Sequence, residues 1–143
     1  MSKLIQSRAE FQTLAEVRLA EAKTLLDAQL WDGAYYLAGY AVELALKSCV
    51  IKQAMIRDAF PDKKYSENCY THNLEKLVEI AGLGTALQAA MVSNHRLSTN
   101  WGLVEGWSEI KRYHRVDRFE SEELYRAVNE NPAGVLPWIR SQW

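Results

Sequence analysis

Apolar positions recur at helical spacing along most of the chain. Between residues 6 and 30, Phe11, Leu14, Ala15, Ala22, Leu25 and Leu26 fall on one side and Arg8, Glu16 and Lys23 on the other. The intervening Ala, Leu, Glu, Lys and Gln are strong helix formers, so the pattern predicts one amphipathic helix. Asp32 is suited to cap a second helix, with Gly33 easing the turn, over residues 33–55. Its Ala34, Leu37, Ala38, Ala41, Leu44, Ala45 and Ser48 form a stripe of small and medium side chains that lets another helix approach closely. Tyr36, Tyr40, Glu43 and Lys47 form a second, more polar stripe on the same helix.

Pro61 and the polar run "FPDKKYSENCY" predict a loop. Thr71 is the expected cap of a third helix, with Leu74, Leu77, Val78 and Ala81 apolar and Gly82 as its stop. A fourth helical piece is expected over residues 85–92, and "SNHRLSTNWG" reads as a polar connection. Residues 104–112 have helical character, interrupted by Gly106. Ser121 is the expected cap of a last helix to residue 129, and "NPAG" breaks it before the tail "VLPWIRSQW". No segment alternates with the period of a strand, and no repeat is present. The expectation is an all-α, up-and-down bundle of four to five helices, one domain over residues 1–143.

Composition adds bounds. The chain has 143 residues, 48% of them apolar and 24% charged, as in an ordinary globular protein. No apolar run approaches the roughly 18 residues that span a bilayer, and "MSKLIQSRAE" lacks the features of a signal peptide. A cytoplasmic protein with no membrane partner is expected, with Cys49 and Cys69 as reduced thiols. Seventeen Lys and Arg against eighteen Asp and Glu give a net charge of −1, which argues against a chain coated in basic charge.

Basic charge is concentrated locally in "IKRYHRVDRF", residues 110–119. Arg112, Arg115 and Arg118, three apart, are expected on one helical face beside Lys111. They read either as phosphate contacts or as a solvated face paired with Glu120, Glu122 and Glu123. Glu43 and Lys47 are four apart, in the order that favours a helix-surface ion pair. The alternative is a partly buried cluster in which Glu43 positions Arg112 at a cleft beside Tyr36 and Tyr40. His72 reads as a first-turn packing or hydrogen-bonding residue and His95 as part of the polar connection. Trp101, Trp107, Trp138 and Trp143 suit a core or a dimer interface more than base stacking. A phosphate loop, an HExxH motif and paired Cys or His at ligand spacing are all missing, so no metal site and no cofactor are expected.

Four segments taken in order resemble the HEPN family of small all-α domains. "YYLAGYAVELALKSCV" resembles the family's Ala-rich helix with an acidic residue followed by Leu-Lys, and "THNLEKLVEIAGL" resembles the short helix after its long loop. "NWGLVEGWSEIKRY" resembles the approach to an Arg-Tyr pair, and "LYRAVNENPAGVLPWI" the closing helix. The resemblance implies a homodimer and links to RNA processing, toxin–antitoxin systems and nucleotidyltransferase partners. Family nucleases pair an Arg with a His four to six residues further on, for metal-independent cleavage through the ribose 2′-hydroxyl. Here Arg112 is followed by His114 with one residue between. On a helix these two would point about 200° apart, whereas in an extended segment they share a side. The expected function is therefore non-catalytic binding of RNA, a nucleotide or a partner protein near Arg112, Glu43, Lys47 and Tyr40, with Lys111, Arg115 and Arg118 as further contacts. Two rivals are a divergent endoribonuclease using Arg112 and His114 and the helical partner of a nucleotidyltransferase.

Overall fold

A computed structural model describes residues 2–143. Its helices are α1 (Arg8–Asp27), α2 (Trp31–Arg57), α3 (Lys63–Asn68), α4 (Leu74–Ile80), α5 (Gly84–Ser93), α6 (His95–Glu105), a 3₁₀ turn (Glu109–Tyr113), α7 (Arg118–Asn129) and α8 (Val135–Arg140). The described residues contain no strand, so the chain is all-α, with more helices than the four or five expected. None is long and apolar enough to cross a membrane.

The two long helices form an antiparallel hairpin joined by three residues, of which Gln29 adopts a left-handed backbone (φ 62°). Ser7 caps α1 by accepting a hydrogen bond from the Glu10 backbone N–H. Burial of Ala15, Leu19 and Ala22 turns one face of α1 onto α2. Every residue from Ala41 to Leu46 is buried, which makes α2 the central helix. Ala34, Ala38, Ala41 and Ala45 are fully buried, and these short side chains allow the close approach the stripe predicted. Helices α4, α7 and α8 and the 3₁₀ turn all pack against α2.

Several expected boundaries shift for local reasons. Asp32 lies inside α2; its carboxylate accepts the Val116 N–H at 2.7 Å and pairs with Arg115. Asn73, two residues after the expected Thr71, caps α4 by accepting the Lys76 N–H at 2.9 Å. Asp117 caps α7 in place of Ser121, which is buried and donates to the Trp31 carbonyl at 2.9 Å. The loop after Pro61 contains α3, capped by Asp62.

The supposed polar connection is helix α6, capped by Asn94, with Leu97, Trp101 and Val104 buried at four- and three-residue spacing. That helix stops at Gly106, and the 3₁₀ turn follows Trp107. The tail closes the structure as α8. Arg140 grips Glu16 of α1 through two hydrogen bonds of 2.6 and 2.7 Å, and Lys52 donates to the Gln142 carbonyl at 2.9 Å.

Candidate functional site

Along the polar stripe of α2, Tyr36, Tyr40 and Lys47 are each partly exposed, and Glu43 between them is buried. Tyr36 and Tyr40, one turn apart, stack with ring centroids 6.0 Å apart and planes within 10°. Trp107 tilts against Tyr36 at 5.8 Å. Its indole occupies the space over Gly39 so closely that any Cβ there would collide with it. Gly39 thereby seats Trp107, and Trp107 brings the 3₁₀ turn with Arg112 to the tyrosine end of α2.

Within the basic stretch the structure sorts the cations. Arg115 binds Asp32 at 2.8 Å, and Arg118 binds Glu122 at 2.8 Å while lying over the Trp31 ring. Lys111 lines a small cleft with Glu120 and Glu123. Arg112 has no carboxylate within ion-pairing distance among the described residues. It lies 4.9 Å from the centre of the Tyr113 ring, and the Tyr113 hydroxyl, followed by that of Tyr36, holds its pKa above the usual value. The expected single face of Arg112, Arg115 and Arg118 does not form. Arg112 sits in a 3₁₀ turn, His114 is extended (φ −106°, ψ 147°), and Arg118 begins α7. His114 is exposed and forms no hydrogen bond with Arg112.

Further along α2, Glu43 is only 1% exposed. One carboxylate oxygen lies 2.9 Å from His72 Nδ1 and the other 3.4 Å from Lys47 Nζ. Glu43 is therefore the partly buried alternative rather than a surface pair. It does not position Arg112 directly: its partners are His72 and Lys47. The Tyr40 hydroxyl adjoins this cluster; burial, then Glu43 and Tyr36, push its pKa up, and Arg18 of α1 opposes them.

His72 joins the site from 29 residues away in sequence. Its side chain is 47% exposed, and Nδ1 is the ring nitrogen committed to Glu43. Nothing in the spacing of the chain announces this contact, because it is made by the loop before α4 folding back onto α2. Trp101 and Trp107 are buried, and Trp138 and Trp143 pack partly buried against the core. Cys49 and Cys69 are free thiols. Compared with protein-family models, with curated proteins and with solved structures, the chain matches none.

Proposed function

We propose that the chain is a HEPN-like, cytoplasmic protein that binds single-stranded RNA or a nucleotide on the tyrosine-bearing side of α2. Arg112 contacts phosphate, and the exposed Tyr113 ring beside it offers a face on which a base stacks. The observation that carries this reading is the sorting of the basic stretch. Arg115 and Arg118 are engaged by carboxylates, whereas Arg112 is left beside aromatic rings with no acid to neutralise it. A guanidinium beside neutral tyrosines, with no acid on it, keeps its full charge for a phosphate. The Glu43–His72–Lys47 cluster forms the far part of the same face.

Fluorescence anisotropy with a labelled single-stranded homopolymer RNA tests the reading. Arg112→Ala should weaken binding by about tenfold or more, equivalent to about 1.4 kcal/mol. Arg115→Ala and Arg118→Ala should change it by about twofold or less, since these guanidinium groups already hold carboxylates. Affinity that ignores salt, or that survives Arg112→Ala intact, would overturn the proposal.

A divergent endoribonuclease using Arg112 and His114 has one observation in its favour. His114 leaves the 3₁₀ turn with an extended backbone, so the pair is not fixed on opposite sides of a helix. Cleavage of total RNA by the purified protein, abolished by either Arg112→Ala or His114→Ala, would establish it. The nucleotidyltransferase-partner reading has less support, because the small-residue face of α2 is covered by the chain's own helices. The homodimer implied by the family resemblance belongs to the leading reading, and sedimentation of the free protein tests it.

A further inference from the structure

At the other end of α2 lies a cleft of about 410 Å³, within the usual range for small-molecule sites. Ile5, Phe11, Val50 and Ile51 supply apolar walls, and Lys47 and Cys69 supply polar groups. Among the described residues no carboxylate lines it, although Glu43 lies behind Lys47, and Lys47 is the one cation in its wall. The Lys47 side chain is only 17% exposed, so its ammonium is partly withdrawn from water. An ammonium carries three donors, and among the described residues this one has a single ion-pair partner, Glu43 at 3.4 Å, whose other oxygen is taken by His72. Glu43 holds this ammonium only loosely and leaves donors unused, so against apolar walls the cleft suits a ligand with one anionic end and an apolar body. At the rim, Leu4 and Tyr70 stand 74% and 79% exposed, and a bound apolar chain would cover them.

We infer that this cleft binds an amphipathic monocarboxylate, its head on Lys47 and its chain along Phe11, Val50 and Ile51. A nucleotide fits poorly here, because one cation does not balance several phosphate charges. Lys47 also belongs to the far part of the face in the RNA reading, but it lies eleven residues beyond Tyr36, about 16 Å along the helix, and the test turns on Cys69 and not on Arg112, so the two readings fail separately.

Cys69 reports on the site directly. Burial, more than any other influence, pushes its thiol pKa up, so alkylation by iodoacetamide is followed at mildly alkaline pH by mass spectrometry. Saturating decanoate should slow alkylation of Cys69 about tenfold, as expected for nine-tenths occupancy, while buried Cys49 stays unreactive. Decanol, with the same chain and no charge, should protect much less. Lys47→Met should abolish the preference for decanoate over decanol. The inference falls if decanoate gives no protection to the unaltered protein, or if decanol protects equally well. It also falls if decanoate exposes Cys49, which would mark detergent-like unfolding. The comparison in the unaltered protein decides the matter even if Lys47→Met does not fold.

Discussion

Glu43 and Glu130 are the centres of two polar clusters, and they are satisfied to different degrees. The Glu130 carboxylate receives Arg96 Nε at 2.9 and 3.0 Å, Asn100 Nδ2 at 2.9 Å and Arg126 Nη1 at 2.9 Å. Asn100, fully buried, also donates to the Ala133 carbonyl at 3.0 Å and accepts from Arg126 at 3.4 Å. Both amide donors and the amide oxygen are thus used, and the cluster ties α6 and α7 to the turn before α8. Glu43 is more deeply buried yet has only a half-exposed histidine and one longer contact to a lysine. A closed network holds a fold together, whereas an incompletely satisfied one beside a cleft contributes less to it and is where the proposed ligand would be met.

Breaking the closed cluster should have the larger effect on stability. Asn100→Ala removes a buried amide and leaves the Ala133 carbonyl without its donor, for a loss of about 2 kcal/mol in denaturant unfolding. RNA affinity should be unchanged, and an affinity loss as large as that of Arg112→Ala would erase the distinction between the clusters.

Acid should act on the same cluster. The hydrogen bond from Asn100, then Arg96, lowers the folded Glu130 pKa below its ordinary 4.5. Its contribution is therefore complete well above pH 4.5 and is lost as pH falls through the lowered folded value. Asn100→Ala should lessen this acid loss, as read from midpoints of thermal unfolding at a series of pH values.

The smallest stability effect belongs to the open cluster. His72→Ala should cost under about 1 kcal/mol, since water replaces the half-exposed ring beside Glu43. A cost equal to that of Asn100→Ala would make Glu43 a structural anchor like Glu130.

The long helices were legible because their apolar spacing and composition agree over many turns. Residues 6–30 and 33–55 as expected correspond to Arg8–Asp27 and Trp31–Arg57 as found. Caps were less legible, since Thr71, Asn73, Asp117 and Ser121 are all good capping residues and tertiary contacts decided among them. Helix α6 was hidden because its outward side is polar and its buried Asn100 looks like a surface residue in sequence. Of the candidate site, Tyr40, Glu43 and Lys47 came from local helical spacing and Arg112 from the basic stretch and the family resemblance. The contact of His72 with Glu43, and the carboxylates that occupy Arg115 and Arg118, depend on how helices and loops meet in space.

The grip of Arg140 on Glu16 joins residues 124 positions apart. Closing so long a loop costs more chain entropy than pairing neighbours does, so this contact belongs late in folding, after the α1–α2 hairpin. Arg140→Ala should therefore leave the folding rate nearly unchanged and accelerate unfolding, moving one arm of the chevron and not the other. The α8 clasp then governs how long the native state lasts more than how quickly it is reached.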